Sequence, residues 1–218
     1  AYSSNEDMVE ATFIGELDEN GEAPSFTIEV NTLASNQENL GKVLPSNDGV
    51  KLPPDTYSFD ITINDLSYEF QYNINEGETN RDIQERLSRL ISKADIGVQA
   101  DILEDGKGNS SLRMTSASEG LKGNKDYIFH ISDNHTSKRT GTVDYLGLDF
   151  ISKAPSNAEF LLNGELRQAS SNHFTVDNAY ELTLKQAHSK AGDLAEIGLK
   201  TDLESLTENV GNLIGGYN

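Results

Sequence analysis

Apolar and polar residues alternate with a period of two along much of the chain, and that pattern predicts strands. Tyr57, Phe59, Ile61 and Ile63 alternate with Ser58, Asp60 and Thr62. After Asn64-Asp65 the alternation resumes in Leu66, Tyr68, Phe70, Tyr72 and Ile74. Two such runs, separated by two residues that tolerate positive φ, predict a tight hairpin.

The period then changes. Thr79-Asn80-Arg81-Asp82 has the form of a capping box with Asp in place of Glu. Ile83, Leu87, Leu90 and Ile91 follow on one face of a 3.6-residue repeat, opposite Glu85, Arg86, Arg89 and Lys93. The pattern predicts a helix over Thr79–Ala94, stopped by Gly97. Strand patterning returns in Val98-Gln99-Ala100-Asp101-Ile102, turns through Asp105-Gly106-Lys107-Gly108-Asn109, and continues around Leu112 and Met114 and again from Tyr127 to Ile131. Residues 49–133 therefore read β-β-α-β-β-β.

On the flanks, 8–17 and 25–34 predict strands joined through Asp18-Glu19-Asn20-Gly21. Residues 35–56 read as a linker, rich in Asn and Gly with Pro53-Pro54. A second polar stretch, Asp133 to Thr142, lacks apolar periodicity. Beyond it a strand is expected at Glu159–Leu162, a turn at Asn163-Gly164 and a strand at Leu182–Leu184. The expected class is α+β, mainly β, with two β-rich domains. One is discontinuous, built from 1–48 and 150–200. The other is an α+β unit, 49–149, inserted into it.

From residue 201 the character changes again. Thr201-Asp202-Leu203-Glu204 is a full capping box, and Leu203, Leu206, Val210, Leu213 and Tyr217 are spaced as an a/d heptad seam. These five form the candidate helix-packing and assembly seam, as the start of a coiled coil over 201–218. An amphipathic helix packed on its own domain is the other reading of the same spacing.

Charge narrows the partners. The 218 residues carry 36 Asp and Glu against 17 Lys and Arg, a formal net charge of −19. Polyanion binding needs Lys and Arg to displace counterions, so a nucleic-acid partner is excluded. Adhesion to anionic lipid is disfavoured for the same reason, and no apolar run approaches the ~20 residues of a membrane span. A hydrophobic fraction of 35% points to a large wetted surface. There is no Cys, which rules out disulfides, thiolate nucleophiles and sulfur metal sites. The polar, acidic start Ala1 to Asp7 has no cleavable-signal pattern, and without an initiator Met the chain is expected to be part of a longer protein.

Candidate chemistry is sparse. His130, His135, His173 and His188 show no metal-ligand spacing. Asp101 to Gly106 grazes a calcium loop, with Asp, Asp and Gly at positions 1, 5 and 6, but Leu103 and Leu112 stand where ligands are required. It reads as an acidic hairpin turn. Gly120-Leu121-Lys122-Gly123 is too short for a phosphate loop. No enzyme activity, catalytic residue, cofactor or metal is expected.

Several stretches, in this order, resemble the flagellar hook-associated protein 2 family, the filament cap proteins. They are Phe26–Ala34; Tyr57–Gly120, with Thr79 to Leu87, Gly97-Val98-Gln99-Ala100 and Leu112-Arg113-Met114-Thr115-Ser116 inside it; and Asn157 to Gly164, Ser171-Asn172 and Leu182-Thr183-Leu184. Asp202 to Asn218 resembles the start of the family's leg helix. The resemblance implies a head fragment without the terminal helices that dock on the filament. It also implies a structural, homo-oligomeric annular cap at the tip of the bacterial flagellum, where exported flagellin folds and polymerises. Flagellin and other hook-associated proteins would be its partners, and its location extracellular by the flagellar export route. Two other readings stay open: the variable domain of a flagellin-type filament subunit, and a surface module for cell adhesion that binds host glycans.

Overall fold

The computed structural model describes residues 1–133 and 138–199. In chain order the elements begin with β1 (Tyr2–Ser3), β2 (Val9–Phe13), β3 (Phe26–Thr32), β4 (Asn36–Leu40) and β5 (Leu44–Pro45). The hairpin strands β6 (Asp55–Ile63) and β7 (Leu66–Ile74) precede helix α1 (Asn80–Lys93). Then come β8 (Val98–Glu104), β9 (Asn109–Glu119), β10 (Phe129–Asp133), the short helix α2 (Thr142–Leu146) and β11 (Ile151–Lys153). The last are β12 (Ala158–Leu162), β13 (Glu165–Ala169), β14 (His173–Val176), β15 (Tyr180–Leu184) and β16 (Ala195–Gly198). The fold is α+β and mainly β, as the patterning predicts.

Backbone contacts divide the chain into two units: Ala1–Ala34 with the chain from Asn157 on, and Ser35–Ser156. The sequence boundaries at 48/49 and 149/150 lie inside the second unit. The difference arises because 35–56 is not a linker. β4 pairs antiparallel with β9 and with β11, and β5 pairs with β9. Hydrophobic periodicity misses β4 because its buried positions are amides, Gln37 and Asn39. Gln37 Oε1 accepts from the backbone N–H of Ile128 at 2.7 Å and of Phe129 at 3.2 Å. Its Nε2 donates to Phe129 O at 2.9 Å and to Asn39 Oδ1 at 2.8 Å, and Asn39 Nδ2 donates to Leu148 O at 3.0 Å. A strand whose inward side chains hydrogen-bond to backbone is as firmly placed as an apolar one, since each buried polar group finds its partner.

In the same unit β6 and β7 pair in full register from Asp55↔Ile74 to Ile63↔Leu66. Asn64 and Asp65 both adopt positive φ, 54° and 63°, which matches the right-handed twist of the strands. The capping box of α1 forms: Asp82 N–H donates to Thr79 Oγ1 at 3.2 Å, and Thr79 N–H to Asp82 Oδ2 at 3.0 Å. Ile83, Leu87 and Ile91 are buried, with Leu90 half-buried beside them. They share a core with Tyr57, Phe59, Ile61, Phe70, Met114 and Phe129. Gln84, a polar residue beside Leu87 and Ile91 on the same helix face, is also buried, and its Nε2 donates to Ser110 O at 3.0 Å. The chain enters and leaves this unit at one place. Ser35 N–H donates to Ser156 O at 2.9 Å, Ser156 N–H donates back to Ser35 O at 3.3 Å, and their hydroxyls meet at 2.8 Å.

The first unit stacks two sheets. One has the order β1-β16-β3-β12-β13 and the other β14-β15-β2 among the described residues. Ile28, Val30, Phe160 and Ile197 share a core with Val9, Tyr180, Leu182 and Leu184. Tyr180 meets Phe13 and Phe26 edge-on at 5.5 and 5.6 Å, while its hydroxyl donates to Pro24 O at 2.7 Å. The Asp18–Gly21 turn forms, with Asp18 Oδ1 accepting from Asn20 and Glu22 N–H at 2.8 Å each. Yet β2 and β3 do not pair: β2 joins β15, and β3 lies between β16 and β12. Asn163 and Gly164 close the β12–β13 hairpin with φ of 49° and 81°.

Replacing Gln37 with Leu keeps the volume but orphans two backbone N–H groups and a carbonyl. At about 1–3 kcal/mol for each buried group left unpaired, the loss is about 3 kcal/mol or more in a denaturant melt. A loss below about 1 kcal/mol would show that the amide cluster does not fasten β4. Tyr72 supplies a pH signature: its buried hydroxyl meets Thr142 Oγ1 at 2.7 Å, and burial pushes its ionisation far above the usual tyrosine value. An unfolded tyrosine ionises near pH 10, so this contribution is complete below about that pH and is lost as pH rises toward the higher folded value. Tyr72→Phe is therefore expected to destabilise the protein at neutral pH and to flatten its loss of stability above pH ~10. Unfolding midpoints between pH 7 and 11 measure both effects.

Candidate functional site

The seam residues Leu203, Leu206, Val210, Leu213 and Tyr217, and with them the helix expected over 201–218, lie outside the described residues. His135 does too. Each of the other histidines has a local contact. His130 sits 5.4 Å from the Tyr127 ring. His173 Nδ1 bonds Thr183 Oγ1 at 2.9 Å, with Nε2 3.6 Å from Glu181. His188 Nδ1 donates to Lys190 O at 2.7 Å and lies 3.4 Å from the buried Glu29. Among the described residues no group of three or more His, Asp or Glu could hold a metal.

The carboxylates of the calcium-like loop are committed to the hairpin itself. Asp101 is gripped by Arg113 across the β8–β9 pair, Nε to Oδ1 at 2.9 Å and Nη2 to Oδ2 at 2.6 Å. That pairing holds its carboxyl below the usual carboxylate range. Asp105 Oδ1 accepts from Lys107 and Asn109 N–H at 2.7 and 3.1 Å, and Oδ2 from Asn109 Nδ2 at 2.7 Å. The Asn109 amide and these backbone bonds lower its ionisation as well. Glu78 is held low chiefly by Arg86, which donates to it at 2.9 Å and so ties the approach to α1 onto the helix.

Surface clefts are modest. One of about 400 Å³ opens between Tyr2, Phe26, Thr27 and Glu196. One of about 410 Å³ lies between the Asn64-Asp65 turn and the Lys122–Ile128 loop. A third, about 450 Å³, lies among Lys42, Lys51, Leu52, Asn80 and Tyr145. The polar tip of Tyr145 is already used there: its hydroxyl donates to Asn80 Oδ1 at 2.5 Å and accepts from Lys51 N–H at 3.2 Å. Among the described residues every buried side-chain polar atom has a hydrogen-bond partner. The sequence reading did not single out the exposed apolar residues: Phe150 is 63% exposed, Val43 62% and Leu166 62%. Leu166 sits in β13, whose mostly exposed residues give no alternation to detect.

No family model and no curated protein matches the chain. Solved structures do. The D2-D3 domains of the flagellar cap protein FliD from Escherichia coli match at a TM-score of 0.64 and 20% identity, covering 92% of this chain and 98% of that one. FliD (HAP2) from Pseudomonas aeruginosa PAO1 matches at 0.62 and 17% identity, covering 97% of this chain and 92% of that one. Against the D1-D2-D3 structure of the E. coli protein, at 0.65 and 20% identity, the match takes in 94% of this chain but only 58% of the other. The chain thus has the fold of the D2-D3 head domains of flagellar cap proteins.

Proposed function

We propose that the chain is the head of a flagellar filament cap subunit: a structural part of an oligomer at the filament tip, beneath which exported flagellin folds and polymerises. The observation that carries this reading is a match that runs through both units and covers almost the whole of a D2-D3 head. The site chemistry agrees with a contact role rather than a catalytic one, since the carboxylates that grazed a metal loop are bound to Arg113 and to turn amides. A net charge of −19 suits a soluble, outward-facing head. The absence of Cys suits a subunit that travels unfolded to an extracellular destination. In this reading Leu203, Leu206, Val210, Leu213 and Tyr217 begin the leg and face another helix.

The test is made in the source bacterium with the full-length protein. Deleting its gene should leave cells without filaments and with unpolymerised flagellin in the medium; normal filaments in the deletion strain would overturn the reading. Leu206→Asp combined with Leu213→Asp buries unpaired charge in the proposed seam and should abolish cap assembly while circular dichroism still reports a folded head. Intact assembly and motility in that variant would remove the leg assignment alone. Adding calcium to chelator-treated protein is expected to leave the melting temperature unchanged, and a rise of several degrees would count against a metal-free head.

A further inference from the structure

Strand β13 ends its sheet: within the described residues it pairs only with β12. Three features make its free edge unusual. The first is the phase of the backbone. In a two-residue hairpin the residues flanking the turn, here Leu162 and Glu165, form a hydrogen-bonded pair. Phe160 and Arg167 are the next such pair, so the N–H and C=O groups of Leu166 and Gln168 point away from β12.

The second is the side-chain pattern. Glu165 and Arg167 share one face, with Arg167 Nη2 2.9 Å from Glu165 Oε2. Leu166 points to the opposite face, 62% exposed, beside the half-buried Leu161 of β12. The third is self-complementarity. Laid antiparallel against a second β13 about a two-fold axis at Leu166, Glu165 faces Arg167 of the other copy twice over. Leu161 and Leu166 of both copies then line up in one apolar row. Two-fold registers centred on Glu165 or on Arg167 would instead set like charges face to face, which is destabilising. A register centred on Gln168 sets Arg167 opposite Ala169 and gains no ion pair, so the Leu166-centred register is the one the charges favour.

We propose that β13 is an interface with a second copy of this chain, joining two five-stranded sheets edge to edge in the Leu166-centred register. The contact is isologous: it closes a pair and cannot by itself generate a ring. It is independent of the seam at 201–218 and of the cap reading. A five-residue strand pair buries less than the ~1,200 Å² of a stable dimer, so the association is weak and is read at high protein concentration.

Charge reversal provides the test. Arg167→Glu makes the edge Glu-Leu-Glu, and Glu165→Lys makes it Lys-Leu-Arg; both variants keep exposed side chains and should fold like the parent. In sedimentation at graded concentration the parent is expected to associate and each variant to do so at least tenfold more weakly. An equimolar mixture of the two variants should regain association, because each edge now complements the other. The sequence contains no Cys, so Leu166→Cys gives a single thiol that should cross-link rapidly across the axis, whereas Leu66→Cys, at a similarly exposed position by the β6–β7 turn, should not. A monomeric parent, unchanged association in Arg167→Glu, or equal cross-linking at residues 66 and 166 overturns the proposal. So does a monomer whose β13 amides resist hydrogen exchange, since the edge would then be covered by the chain's own residues.

Discussion

The double bridge between Ser35 and Ser156 is the constraint on which the two-unit organisation depends. Just outside it, Thr32 of β3 pairs with Glu159 of β12, so the two strands of the first unit run side by side as the arms of a hairpin. Residues 35–156 stand where that hairpin's loop would be. Closing a loop costs entropy that grows only slowly with its length, so a folded unit can occupy the place of a short turn as long as its ends meet. The reciprocal backbone bonds and the hydroxyl contact at Ser35 and Ser156 bring those ends together.

The arms of the sheets obey a second rule, which decides how much of the fold was readable. β7 and α1 bury one apolar face each and leave the other largely in water, and β6 keeps its apolar residues on one face although Ser58 opposite them is buried as well, so the periods of 2 and 3.6 are written into the residue order. Tyr57 to Ile74 and Ile83 to Ile91 could be placed from that alone. β4 has the same geometry but fills its inward positions with Gln37 and Asn39, so it resembles a polar linker until their backbone partners are seen. β13 has the opposite problem. It lies at an edge with its side chains largely in water, and exposure erases alternation. α2 is a single turn closed by Gly147 in the left-handed region, too short for a helical period to register.

The site was legible to the same extent and for the same reason. Residue spacing reads Asp101–Gly106 as a hairpin turn because ligand positions hold leucines; in the structure 101–104 belong to β8, the turn follows it, and Asp101 and Asp105 are engaged by Arg113, Asn109 and backbone amides. The heptad spacing of Leu203 to Tyr217 marks a candidate seam, and those residues lie beyond the ones the structure describes. The strand edge at Leu166 was invisible in one dimension. Its character comes from which way the backbone of a hairpin arm points, and hydropathy holds no record of that.

The Ser35–Ser156 bridge has a meaning for variation as well as for stability. A unit whose two ends meet shares that boundary condition with any other segment whose ends meet in the same way. The pairing of β3 with β12 asks of the intervening segment that its ends meet, a condition that a short turn, a small sheet or the present α+β unit can each satisfy. Residues 35–156 thus have the connectivity of a cassette, whose length can change without altering the register of β3 against β12.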